Sequence, residues 1–185
     1  PGGKGINVSI VLKNLGVKNR ALGFVAGFTG EEIEKLVADH GVDSDFIKLE
    51  KGMSRINVKL KSKEESEING MGPNISQVDI EKLYKKLDSL KAGDFVVLAG
   101  SIPSTLPDDI YETIMKDFQH KEINFVVDAT KDLLLNVLKY KPFLIKPNHH
   151  ELGEMFNVEL KNKEEIITYA KKLQEIGARN VIISM

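Results

Sequence analysis

The sequence has no cysteine. That excludes a disulfide scaffold, a thiol nucleophile and any thiolate-held metal. It also lacks an excess of charge of either sign: 26 basic residues face 27 acidic ones, a formal net charge of −1. No nucleic-acid partner or acidic membrane surface is therefore expected. No apolar run reaches the ~18 residues that a membrane span requires, and no signal peptide is recognisable. These absences fit a cytoplasmic protein with no membrane association. Internal repeats and low-complexity segments are missing too. So are four familiar catalytic signatures: the phosphate loop ending in Gly-Lys-Ser/Thr, a strand–Gly-x-Gly-x-x-Gly–helix unit, His-Glu-x-x-His and a Ser-His-Asp order. Without the second, a Rossmann dehydrogenase is set aside.

What is present is ample apolar material. Of the 185 residues, 42% are hydrophobic, enough for one ordinary domain, alone or with a small accessory. The chain starts on a glycine-rich stretch, Pro1-Gly2-Gly3-Lys4-Gly5-Ile6-Asn7, with no Met and no strand before it. It ends on Val181-Ile182-Ile183-Ser184-Met185, an apolar run that reads as a buried strand. We expect it to be part of a longer protein.

The opening stretch leads into Val8, Val11, Leu12 and Leu15, an apolar stripe at helical spacing closed by Gly16. A glycine-rich start to a helix offers free N–H groups and the positive end of the dipole to an anion or a cluster of sugar hydroxyls, and Lys4 adds a charge there. A plain flexible loop explains the same residues. Arg20 to Gly27 reads as a strand. Thr29 with Glu32 reads as the capping box of a helix that buries Ile33, Leu36, Val37 and His40 and stops at Gly41.

Residues 46–69 change character. Ser54 to Leu60 alternates strictly, with Ile56, Val58 and Leu60 on one face and Arg55, Asn57 and Lys59 on the other. The polar turn of residues 61–65 leads to Glu67-Ile68-Asn69-Gly70. This is an antiparallel hairpin with one wet face. From Ser76, a capped helix opens an alternating pattern. Phe95–Ala99, Ile123–Asp128, Phe143–Ile145 and the final run are strands, with helices between them. Apolar strands separated by helices define a three-layer α/β fold with a mainly parallel sheet.

Ligands of such sheets bind beyond the carboxyl ends of the strands. Gly100-Ser101, Asp128 and Lys146-Pro147-Asn148 stand there, with Glu151 one turn on. Asp128 is either the cap of the next helix or a ligand for a cation. Asn148 with Glu151 is a helix cap by spacing, and Asn162 with Glu165 repeats it. The Lys-Pro before Asn148, at a strand end, distinguishes the first copy. His149 and His150 lie about 100° apart on a helix, and no third nitrogen or sulfur ligand is near, which disfavours zinc.

Five of these stretches, in order along the whole chain, resemble the ribokinase-like (PfkB) carbohydrate kinases. They are Gly2–Asn7, Ser54–Lys59, Glu67–Gly70, Gly100–Pro103 and Lys146–Leu152. Within that family the likeness is greatest to bacterial kinases of fructose 1-phosphate, with those of tagatose 6-phosphate next. The resemblance implies transfer of a phosphoryl group from ATP, with Mg2+, to a hydroxyl of a ketohexose phosphate. It implies a kinase core over 1–45 and 70–185 and a β-sheet lid over 46–69, which in such enzymes commonly forms a homodimer contact. Carried over by position, Gly3, Lys4, Asn7, Arg55, Asn57 and Ser101 would bind substrate, Arg55 towards its phosphate. Lys146, Asn148 and Glu151 would serve ATP, with Asp128 and Glu151 at the metal. The family's sugar-binding Asp is expected before Pro1. Its catalytic Asp and anion hole, in a Gly-Ala-Gly-Asp segment, are expected after Met185, so the 185 residues alone are expected to be inactive. A reading from a different class is a non-catalytic sugar-phosphate-binding protein that uses the same cleft.

Overall fold

The computed structural model describes residues 2–61, 65–129 and 131–185. The chain divides into two compact units, Pro1–Ser89 and Leu90–Met185.

The first unit opens with helix α1, Lys4–Asn14. Strands β1 (Arg20–Ala21) and β2 (Phe24–Ala26) precede helix α2, Gly27–Asp39. Strands β3 (Asp43–Ser44) and β4 (Ile47–Leu49) return parallel to β1 and β2, respectively. Next come β5 (Asn57–Lys61) and β6 (Glu65–Asn69), antiparallel with Asn57 opposite Asn69 and Val58 opposite Ile68. Helix α3, Gln77–Leu87, closes the unit. Residues 62–64 of the expected polar turn lie outside the described residues. Within 46–69 the pairing is therefore of two kinds. Ile47–Leu49 pairs parallel with β2, and antiparallel pairing starts only at Asn57. Burial of Ile47 and Leu49 explains the first part, which continues the buried parallel sheet.

Three local expectations give way here. Helix α1 packs Ile6 and Ile10 against Ala21, Val37 and Val42, while Val11 and Leu15 are exposed. The inward face is thus turned from the apolar stripe that spacing suggested. Thr29 caps nothing: Gly27, at φ 58°, turns the chain straight from β2 into α2, with Ala26 as the cap position. A positive φ suits glycine, so the helix starts earlier than a Thr–Glu box allows. His40 is exposed at the C-cap instead of buried.

The second unit alternates strand and helix. Strand β7 (Phe95–Ala99), helix α4 (Ile110–Asp117), β8 (Asn124–Asp128), α5 (Lys131–Val137) and β9 (Leu144–Ile145) are followed by α6 (His149–Met155) and α7 (Lys163–Ile176). The sheet order is β7-β8-β9, all parallel. Beyond it, Val181 and Ser184 bridge in parallel to Ile145 and Asn148 where a final strand was expected. Val127, Leu134, Leu138, Ile145, Leu152 and Leu173 are fully buried. At about 1.5–3 kcal/mol each, such side chains hold the strand ends in place.

Candidate functional site

The register of the second unit brings its motif residues to one edge. Ala99 lies opposite Asp128, and Val127 opposite Ile145, so β7, β8 and β9 end together at their carboxyl side. Backbone bonds continue one step further. The Gly100 N–H donates to the Asp128 carbonyl at 3.0 Å, and the Lys146 N–H to the Val127 carbonyl at 3.2 Å. Lys146 Nζ then stands 3.5 Å from Asp128 Oδ2. The sheet thus sets an ammonium beside a carboxylate at a partly exposed strand end, an arrangement suited to a phosphate with its counter-cation.

Buried Pro147 directs the chain to Asn148, which caps α6. The Asn148 side-chain oxygen accepts from the Glu151 N–H at 2.8 Å, and Glu151 Oε2 accepts from the Asn148 N–H at 2.8 Å. The helix-cap reading is therefore realised. It engages one carboxylate oxygen of Glu151 and does not occupy Oε1. Among the described residues no group of three His, Cys, Asp or Glu could hold a metal. Mg2+ does not need one, because it keeps several waters and takes one or two carboxylates plus phosphate oxygens. Asp128 and Glu151 fit that donor set. Ser101 is exposed, just past Gly100, whose φ is 96°.

Tyr111 of α4 was not singled out by sequence. Its hydroxyl lies 3.1 Å from the Ala99 carbonyl and 3.3 Å from that of Gly100. Burial, with a smaller contribution from the Asp128 charge, pushes its phenol up to about 12. A tyrosine at the second position of a helix carries no signature of such a contact. The two histidines stack, with ring centroids 3.8 Å apart, so the divergence expected from helical spacing is taken up by their side chains.

The first unit holds the other motif residues. Gly3 precedes α1 with φ 113° and no side-chain cap, and its carbonyl accepts from the Asn7 N–H at 3.1 Å. Gly2, Gly3 and Lys4 are exposed. The helix therefore presents first-turn N–H groups without a side-chain cap beside a lysine. Arg55 and Asn57 are both exposed and follow an anchored serine. Ser54 is buried, its N–H donates to the Ala26 carbonyl at 2.9 Å, and its hydroxyl accepts from the Ala26 N–H at 3.0 Å. The Thr29 hydroxyl donates to the Ser54 carbonyl at 2.9 Å. The carboxyl end of β2 thus fixes where Arg55 emerges. Ser54 and Thr29 perform this anchoring, and no spacing in the sequence marked either for it.

A cavity of about 400 Å³ lies between β4 and α3, lined by Phe46, Ile47, Lys48, Lys82, Lys85 and Lys86. It contains none of the motif residues. Lys48, Lys82 and Lys86 are paired with Glu34, Asp79 and Asp45.

Comparison with known proteins converges on one family. The family described as pfkB family carbohydrate kinase matches residues 1–185. The 1-phosphofructokinase of Bacillus subtilis is 51% identical over 185 residues, all of this chain and 61% of that protein. The D-tagatose-1-phosphate kinase of Bacillus licheniformis is 39% identical, over all of this chain and 60% of that protein. The chain thus spans about three fifths of these relatives' length. Phosphofructokinase-2 from Escherichia coli in complex with fructose-6-phosphate superimposes with a TM-score of 0.89 at 25% identity, covering 100% of this chain and 62% of that one. The tetrameric inhibited form of the same enzyme gives 0.87 at 25% identity, with the same coverage.

Proposed function

The chain belongs to the pfkB family of carbohydrate kinases, and from that premise we propose that the full-length protein phosphorylates a ketohexose 1-phosphate, fructose 1-phosphate first, at the expense of ATP. The observation that carries this is 51% identity to a 1-phosphofructokinase over every residue of the chain. The strand-end cluster of Lys146, Asp128, Asn148 and Glu151 supports it, because phosphoryl transfer is mostly positioning and charge stabilisation. In this reading Lys146 and Asn148 serve the ATP phosphates. Asp128 and Glu151 would hold Mg2+, which supplies charge neutralisation on the phosphates when bound. Gly3, Lys4 and Asn7 hold the sugar with the first turn of α1. Within the first unit, Arg55 grips the existing phosphate as a guanidinium fork, with Asn57 near it in the chain. Within the second unit, Ser101 is assigned to the substrate.

A second sugar is favoured by a specific relative. The D-tagatose-1-phosphate kinase at 39% identity moves the tagatose alternative from a 6-phosphate to a 1-phosphate. Fructose 1-phosphate and tagatose 1-phosphate differ at one hydroxyl and share the anion that Arg55 would hold. We further infer a cytoplasmic homodimer whose contact is the β5–β6 hairpin, acting as a lid. The exposed apolar side chains of that hairpin support the contact. Among the described residues no helix is long and apolar enough to cross a membrane.

The test is steady-state kinetics of the full-length protein with Mg·ATP and fructose 1-phosphate, tagatose 1-phosphate, tagatose 6-phosphate or fructose 6-phosphate. The highest kcat/KM is expected for fructose 1-phosphate. No turnover of any of the four would overturn the reading and leave a non-catalytic binding protein.

A further inference from the structure

The Gly100-Ser101 turn has to hold a defined place if Ser101 is to meet an anion, yet Ser101 itself is exposed. No Cβ clash fixes Gly100, since nothing lies within 4 Å of where one would stand. Two groups determine the turn. One is the Asp128 carbonyl, which accepts from the Gly100 N–H. The other is the Tyr111 hydroxyl, within hydrogen-bonding distance of the carbonyls of both Ala99 and Gly100. A phenol has one proton, so it is shared between two acceptors on consecutive residues. That contact fixes the plane of the peptide between Ala99 and Gly100, and with it the direction in which Ser101 leaves the sheet. We propose that Tyr111 is a positioning residue: its hydroxyl sets the Gly100-Ser101 turn at the carboxyl end of β7 in the orientation that receives the sugar substrate's phosphate.

Three features support this role over simple packing. Among the described residues the hydroxyl's hydrogen-bond partners are main-chain carbonyls at the strand end, where the family's motif begins. Its ring is carried by α4, whose Ile110, Ile114 and Met115 are buried, so the tyrosine is held from a rigid base. Half-buried and near the Asp128 charge, the phenol is pushed up and remains a donor throughout the working range. The proposal rests on the sugar-phosphate reading only for the identity of the anion.

The experiment is Tyr111→Phe in the full-length protein, which removes one oxygen and keeps the ring. A three- to tenfold rise in KM for fructose 1-phosphate is expected, with KM for ATP within about twofold of the parent, in line with the loss of one modest hydrogen bond. Amide NMR shifts should change at Gly100 and Ser101 and little elsewhere. A lowered melting temperature with both KM values unchanged, or with both raised equally, would overturn the proposal. Should the variant not fold, 4-aminophenylalanine at position 111 keeps a donor in the same place, and parent-like kinetics and shifts are then expected. Altered constants with that residue would count against the role. If the parent turns over no ketose phosphate, the function falls separately. Inorganic phosphate titrated against the Gly100 and Ser101 amides then decides: weaker binding to Tyr111→Phe sustains the positioning role, and equal binding ends it.

Discussion

Two side chains separate the sugar end of the proposed reaction from the nucleotide end. Arg55 is exposed and follows a serine locked to β2, so removing its guanidinium should not disturb the fold. Loss of a charge-assisted contact is worth about 1.5–3 kcal/mol, or roughly 10- to 150-fold. Arg55→Ala in the full-length enzyme should raise KM for the sugar phosphate by that factor and leave KM for ATP nearly unchanged. Equal losses for both would refute the assignment. Glu151 presents a different case, because it has a structural duty already. Its Oε2 accepts from the Asn148 N–H, and a glutamine can do the same. Glu151→Gln therefore keeps the helix start and removes only the negative charge. The Mg2+ concentration for half-maximal activity should rise about tenfold, the scale typical of a lost outer metal partner. An unchanged Mg2+ profile would leave Glu151 as a helix cap alone.

At the level of elements, the sequence spelled out much of the second unit. Continuous apolar runs became β7 and β8, and the two Asn-x-x-Glu caps start α6 and α7 as read. The caps give a matched pair. Asn162 lies on an exposed helix start remote from every motif residue in sequence, and its oxygen accepts from the Glu165 N–H at 2.9 Å. Asn162→Ala should cost about 1 kcal/mol in urea unfolding without changing KM for ATP. Asn148→Ala should cost a similar amount and also weaken ATP. A cap also gives a pH signature. Asp79, in the box that starts α3, is held below the usual carboxylate range first by the Ser76 hydroxyl and then by Lys82. A depressed folded value stabilises above the unfolded value near 3.9 and is lost as pH falls through the folded one. The stability gap between parent and Asp79→Ala should thus be widest near pH 7 and close below about pH 4. A gap that widened on acidification would contradict the assignment. The first unit was less legible, for physical reasons. Ile6, Ile10, Val11 and Leu15 are all apolar, and only packing chooses which face turns inward. Thr29 and Glu32 have capping-box spacing, but Gly27 lets the helix begin before them. The contacts that matter most there, from Ser54 and Thr29 to backbone far along the chain, obey no local spacing rule.

At the scale of the whole molecule, the decisive feature is the hairpin's apolar side. Ile56, Val58, Leu60 and Ile68 are exposed by 60%, 44%, 50% and 61%, respectively, and Val58 pairs directly with Ile68. Strict alternation in the sequence promised one wet face and one covered face, and it could not say what covers the second. A two-stranded hairpin is marginal alone in water, and its apolar face needs another surface. The join is also tight. The Gly70 N–H donates to the Ile56 carbonyl at 3.2 Å, and a Cβ on Gly70 would come within 2.6 Å of that oxygen. The hairpin is thus closed at its base by a contact only glycine permits, which keeps the apolar side chains aligned. If a second copy of the chain covers this face, the full-length protein should sediment as a dimer at micromolar concentration. Val58→Glu together with Ile68→Glu would place opposed like charges across the strand pair and against the partner, and should convert it to monomer. Because Asn57 begins β5 and Arg55 lies two residues before it, the monomer should also lose affinity for the sugar phosphate while keeping that for ATP. A parent protein that is monomeric at those concentrations, or a double variant that stays dimeric, would show that the apolar face has another purpose.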